Sequence, residues 1–313
     1  MIKNFFAILI IGIVVFASNV SNTSNSGVSL RFMAFGDWGF AERIDKIDAI
    51  NLFIQSQQEA VQAVFLLGDN FYPLGIDPLL GLNDPQFRLF SDHLARNLSI
   101  PFCATLGNHD YLYGPAGARL QRSYNHSLWE MPSRLNFVQF EIPDSDGMLA
   151  CFWTIDSVDI RPSDLDDLDW HMSRSEKQCL WKILAAHYPP VTTGSYRNDP
   201  ILAEFREKIV KPFHEKYYFD LILGAHEHSS QIINVWDTYL LISGASVETR
   251  PRSIHPTFEM PDGAELMWGD DTTSNVVLLL DITHEQFSFK FVDISKPNEQ
   301  GILVEGIRAP RKF

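Results

Sequence analysis

From residue 29 onward one pattern recurs: an apolar run of five to eight residues stops at Gly or Ala, and an Asp, Asn or His follows. The runs are SLRFMAFGD (29–37), VFLLGDN (64–70), PFCATLGNHD (101–110), WKILAAHYP (181–189) and DLILGAHEH (220–228). YLLISGAS (239–246) has the same shape without a titratable group. Short apolar runs bounded by glycine read as buried strands. Helical spacing lies between several of them. Ile44, Ile47, Ile50 and Ile54 predict an amphipathic helix over 42–62. Asp84-Pro85 and Asp199-Pro200 read as N-cap and N1 pairs. Phe87, Phe90 and Leu94 follow the first pair, and Leu202, Phe205, Ile209 and Phe213 the second. Leu165, Leu168 and Met172 predict a further helix over 163–174. Strands alternating with helices predict an α/β (α+β) protein, in which ligands bind outside the carboxyl ends of the strands. The C-terminal runs NVVLLLDI (275–282), FSFKFVDI (287–294) and GILVEGI (301–307) lack intervening helices and predict antiparallel strands that close a sheet. No interior linker interrupts the pattern, so 29–313 reads as one domain.

Composition narrows the class. Of 313 residues, 45% are hydrophobic and 20% charged, enough for a packed core. The net charge of −14 argues against a protein that grips nucleic acid through a basic face. It leaves room for a phosphate-handling enzyme, because bound metal supplies positive charge that this sum ignores. Residues 1–17 hold one lysine before the apolar run Phe5–Ala17, which is short for a membrane span and suits a signal peptide. Residues 18–28 read as a flexible polar lead. The expected destination is a secreted, periplasmic or lysosome-like compartment, with no membrane span after removal of the leader. Sequons begin at Asn19, Asn22, Asn97 and Asn125. The three cysteines are too few for a disulfide scaffold, and pairing of Cys151 with Cys179 is left open.

Each strand-end motif has an ordinary reading taken singly: a helix cap at Asp37, Asx turns at Asp69-Asn70 and Asn108-His109-Asp110, a polar loop at His226-Glu227-His228. Their shared position argues for more. Asp37, Asp69, Tyr72, Asn108, His187, His226 and His228 offer carboxylate, phenolate, amide and imidazole groups and no thiolate, a set suited to first-row transition metals. A phenolate is a hard anionic ligand and favours a trivalent ion. Two carboxylates and a tyrosinate against one trivalent and one divalent ion leave a positive site that attracts a phosphate ester.

These blocks, GDWG (36–39), GDNFY (68–72), GNHD (107–110), AHYP (186–189) and AHEH (225–228), resemble in content and order those of the purple acid phosphatases of the tartrate-resistant type, within the metallophosphoesterases. The resemblance implies two mixed β-sheets packed as a sandwich with helices on the outer faces. It implies that Asp37, Asp69, Tyr72 and His228 hold Fe(III), and that Asp69, Asn108, His187 and His226 hold a divalent ion, Fe(II), Zn(II) or Mn(II), with Asp69 bridging. It implies that His109 contacts the phosphate and helps the leaving group, with Asn108 stabilising the phosphoryl charge, while a hydroxide held by the metals attacks phosphorus. The expected partner is a phosphomonoester, and the expected state a monomer. The chain departs from the family at Ala186 and Ala225, where glycine is usual, and in PVTTGSYRND (190–199), which lacks the second active-site histidine of mammalian members. Tyr196 or Ser195 takes that place in this reading, and Tyr113, with Tyr111, Arg119 and Arg122, is a further candidate for the substrate pocket. The alternatives are a catalytically weak scaffold or membrane-complex relative of the same fold, or a phosphodiesterase or nucleotide phosphatase with the same metal site.

Overall fold

The computed structural model describes residues 13–16, 29–58, 60–141, 147–175, 178–255, 257–296 and 301–309. Its strands are β1 (Ile13–Phe16), β2 (Leu30–Phe35), β3 (Val61–Leu67), β4 (Phe102–Thr105), β5 (Trp129–Glu130), β6 (Leu135–Glu141), β7 (Met148–Ile155), β8 (Cys179–Ala186), β9 (Leu221–Gly224), β10 (Ser230–Val235), β11 (Thr238–Ser243), β12 (Ala264–Asp270), β13 (Val276–Ile282), β14 (Phe287–Asp293) and β15 (Ile302–Arg308). The α-helices are α1 (Ile44–Gln57), α2 (Pro115–Arg122), α3 (Pro162–Ser175), α4 (Pro200–Phe205) and α5 (Lys211–Tyr217).

The strands form two sheets. One has seven strands in the order β15-β14-β13-β2-β3-β4-β5, and the other eight in the order β1-β6-β7-β8-β9-β11-β10-β12. Both are mixed: β2, β3, β4 and β5 run parallel, as do β7, β8, β9 and β11, while β13, β14 and β15 pair antiparallel. The C-terminal runs thus extend the first sheet beyond β2, as their pattern predicts.

Alternation along the strands fixes which face meets what. Leu30, Phe32 and Ala34 of β2 and Ala63, Phe65 and Leu67 of β3 join Phe152, Ile183 and Leu223 of the opposite sheet in one cluster between the layers. Met33, Phe35, Val64 and Leu66 point the other way, against Ile47, Ile50 and Ile54 of α1. On the far side Leu168 and Met172 of α3, with Leu202 and Phe205 of α4, cover the second sheet. Strands buried on both faces need no polar positions, which is why these runs read as continuous apolar stretches.

Some boundaries differ from the sequence expectation. The first helix ends at Gln57, because Val61 already opens β3. Asp84 accepts from the Gln86 amide at 2.9 Å, but the turn it opens winds wide over Leu89–Leu94; Phe87, Phe90 and Leu94 remain its buried face. Asp199 caps α4 as expected, accepting from the Ile201 amide at 2.8 Å. β1 pairs in parallel with β6 and falls within the segment expected as a leader. The rest of 1–28, with Asn19 and Asn22, lies outside the described residues. Among the described residues no helix is long and apolar enough to cross a membrane.

Cys151 and Cys179 form a disulfide between the neighbouring strands β7 and β8, and Cys103 is free and buried. The bond closes a loop of 28 residues, which on chain entropy stabilises the fold by about 3.5 kcal/mol. Replacing both cysteines by serine is expected to lower Tm by about 7 °C in a thermal melt, with the wild type under reducing agent falling by a similar amount.

Candidate metal centre

The chain leaves β2, β3, β4, β8 and β9 at the same edge of the two sheets, and the polar residues after each strand meet there. Local backbone form directs them. Asp37, Asp69 and His226 sit at positive φ (55°, 53° and 69°), which costs a non-glycine residue energy and persists only where the surroundings impose it. Gly107 permits a close approach to the ligand itself, since a Cβ there would lie 2.2 Å from Asp69 Oδ1. The usual glycine before the last ligand pair is replaced by Ala225, and its methyl occupies the room left by Gly36, where a Cβ would lie 2.4 Å from it.

Two groups of donor atoms result. Tyr72 Oη lies 2.8 Å from Asp37 Oδ1, 2.7 Å from Asp69 Oδ2 and 3.2 Å from His228 Nε2, and His228 Nε2 lies 3.5 Å from Asp37 Oδ1. The second group is His187 Nε2, 3.1 Å from Asn108 Oδ1 and 3.5 Å from Asp69 Oδ2, together with His226. Ligating atoms of Asp69, His187 and His226 lie within 4.8 Å of one another. Asp69 Oδ2 belongs to both groups.

The donor set fits metal ions. One hydroxyl proton cannot satisfy three close partners, whereas bonds of about 2.1 Å to a shared ion set neighbouring octahedral ligands about 3 Å apart. Among the described residues the Nδ1 atom of buried His226 has no hydrogen-bond partner, and a buried polar atom without one is costly. His187 Nδ1 donates to the Leu67 carbonyl at 2.9 Å, which leaves the Nε2 lone pair for a ligand role. Charge points the same way. Burial and the Asp37 and Asp69 carboxylates hold the Tyr72 phenol well above its ordinary value, so ionising it requires a cation. Burial also raises Asp69. For Asp37 burial acts in the same direction, but the His228, His187 and His226 imidazoles outweigh it and keep the carboxyl below the usual range. Burial and His187 hold His226 well below its ordinary value.

Two further acids brace the ligands, and the sequence reading gave neither a role. Asp110, fully buried, accepts from the amides of Asn70, Phe71 and Gly107 at 2.8–3.2 Å and from Gln121 Nε2 at 2.9 Å. Burial and Asp69 push its carboxyl up to about 7. Glu227, between the two loop histidines, accepts from the amides of Ser195 and Tyr196 at 3.0 and 2.6 Å. That bond brings the 190–199 segment to the centre, where the Tyr196 ring stacks on His226 at 4.0 Å. The only signal for either acid was its place inside a motif block.

His109 lies half-buried beside Tyr72, ring centroids 4.3 Å apart, with Nδ1 donating to the Pro73 carbonyl at 2.6 Å. The other pocket candidates are placed differently. Tyr111 donates its hydroxyl to Asp156, and Arg122 pairs with the same carboxylate at 3.4 Å, so both are engaged in structure. Tyr113 is exposed, with its amide on the Leu74 carbonyl.

Residues 30–230 match the model of the calcineurin-like phosphoesterases. The chain belongs to this metallophosphoesterase family. Among solved structures, GAP50, described as the anchor in the inner membrane complex of Plasmodium, is similar at 21% identity with a TM-score of 0.73, over 91% of this chain and 90% of that one. Purple acid phosphatase PPD1 from yellow lupin (Lupinus luteus) seeds is similar at 14% identity and TM-score 0.64, over 91% of this chain and 54% of that one. A dimetal phosphatase from Danio rerio gives 13% and 0.57, over 90% and 98%. At these identities the likeness shows the shared fold. A search of curated protein sequences returned no match.

Replacing Asp110 by alanine strands four buried donors, at a cost of about 3 kcal/mol or more. The expected outcome is a lower Tm and reduced metal content by elemental analysis.

Proposed function

We propose that the chain is an acid phosphatase of the purple acid phosphatase type that hydrolyses phosphomonoesters. The observation that carries this reading is the inequality of the two donor groups. One holds two carboxylates, a phenol and one imidazole, and suits Fe(III). The other holds two imidazoles, an amide and the shared Asp69, and suits a divalent ion such as Fe(II), Zn(II) or Mn(II). When bound, such a pair supplies Lewis acidity toward a phosphoryl oxygen and acidifies a water. In the reaction Asn108 and His109 steady the phosphoryl group. His109 keeps its Nδ1 proton on Pro73, so Nε2 exchanges the proton that the leaving oxygen needs. Tyr196, against His226, lines the side of the site where mammalian members place a histidine.

The segment 1–17 is a signal peptide in this reading, 29–313 is one domain, and the mature monomer works in a secreted, periplasmic or lysosome-like compartment. The Cys151–Cys179 bond supports an oxidising location. A second reading, a scaffold with little catalysis, is favoured by the likeness to GAP50, the Plasmodium inner membrane complex anchor. The assembled donor set weighs for the enzyme.

Asp69→Ala is expected to lose both metal, by elemental analysis, and hydrolysis of p-nitrophenyl phosphate; a fully active, metal-replete variant overturns the assignment. A metal-replete wild type without phosphatase activity favours the scaffold. Tyr72→Phe is expected to lose the visible band of phenolate-to-ferric charge transfer, and an unchanged spectrum removes Tyr72 from the ligand set.

A further inference from the structure

Arg250 follows β11 and belongs to none of the sequence motifs. Its backbone amide donates to the His228 carbonyl at 3.0 Å, so its Cα is tied to the ligand loop itself. Its guanidinium carbon lies 5.1 Å from the centroid of the Tyr196 ring, the ring that stacks on His226. A continuous stack of imidazole, phenol and guanidinium therefore leads from the donor atoms outward. Tyr196 is held in that stack by Glu227 through its own amide.

Arg250 bonds the Tyr196 side chain, and among the described residues no carboxylate pairs with its charge. Among the described residues it takes part in no ion pair, while its neighbour Glu248 is engaged by Arg43 at 3.1 Å. The carboxylates that act on it electrostatically are already occupied: Asp37 by Tyr72 and the His226 amide, Glu227 by the Ser195 and Tyr196 amides. Arg250 is half-buried, so solvation of its charge is incomplete. A guanidinium offers a planar fork of donors that matches two phosphoryl oxygens, and stacking on an aromatic ring fixes its plane.

We propose that Arg250 is the phosphate-binding residue of this site, gripping non-bridging oxygens of the phosphoryl group, with Tyr196 and Glu227 as positioning residues. The proposal rests on the phosphoesterase reading of the donor cluster. It gives the missing second histidine a functional counterpart of different chemistry, a permanent cation in place of a titrating one.

Calorimetric titration of inorganic phosphate into the metal-replete protein tests it without requiring turnover. Arg250→Gln is expected to weaken phosphate binding by about tenfold to a hundredfold, with metal content and Tm unchanged. Arg250→Lys, which keeps the charge and loses the fork, is expected to fall between. Equal affinity in wild type and Arg250→Gln overturns the proposal, as does a wild type that binds no phosphate. Loss of metal or of Tm in both variants assigns Arg250 a structural role and also overturns it. p-Nitrophenyl phosphate turnover by the same wild-type sample judges the parent reading separately. An inactive protein whose phosphate binding still depends on Arg250 keeps the anion site and removes the phosphatase.

Discussion

Asp37, Asp69 and Tyr72 crowd three acidic groups into a space from which water is nearly excluded, with oxygens 2.7–2.8 Å apart. In that setting the anions repel one another, and the phenol stays protonated unless positive charge arrives. The protein supplies part of that charge with the imidazoles around Asp37. Much of the local architecture follows from holding such a cluster together. The left-handed backbone at Asp37, Asp69 and His226, the space at Gly107, and the buried acids that bind loop amides all resist a tendency of the loops to separate.

Asp110 and Glu227 solve that problem in the same manner. Each is a buried carboxylate that accepts backbone amides from a neighbouring loop, and so fixes the path of ligand-bearing chain without touching the donor atoms. Asp110 joins the loops after β3 and β4; Glu227 joins the loop after β9 to the segment after β8. Trp38 adds a third tie, its indole donating to Asn70 Oδ1 at 3.1 Å and linking the loops after β2 and β3. The ligands are thus carried by a single cross-connected set of loops.

The ligand-bearing strands were legible because each is buried on both faces and stops sharply at Gly or Ala before a polar group, so period and punctuation agreed. Their convergence was legible because parallel strands deliver their carboxyl ends to one edge. Other features were silent. β7, MLACFWTI, is an equally apolar run but ends in no glycine, and β12 alternates exposed and half-buried residues as an edge strand does. Pairing of Cys151 with Cys179 depends on β7 lying beside β8, which the spacing of the cysteines does not encode. Arg250 lies 22 positions past the last motif histidine, and only the return of β11 beside β9 brings it back. The amides that Asp110 and Glu227 accept carry no side-chain signature at all.

The donor atoms come from both layers of the sandwich. Asp37, Asp69 and Asn108 follow strands of the seven-stranded sheet, and His187, His226 and His228 follow strands of the eight-stranded one. Elsewhere the layers meet mainly through apolar contact, which is non-directional, with few direct ties such as Trp181 Nε1 donating to the Thr283 carbonyl at 2.7 Å. At the ligand edge any ion bound by Asp69 and His187 together is a rivet through both plates. It would limit shear at that edge, as the bond from Trp181 to the Thr283 carbonyl does at the opposite one. Occupancy of the centre would thereby add a mechanical tie to the apolar core of the sandwich, placed by a few side chains at one rim.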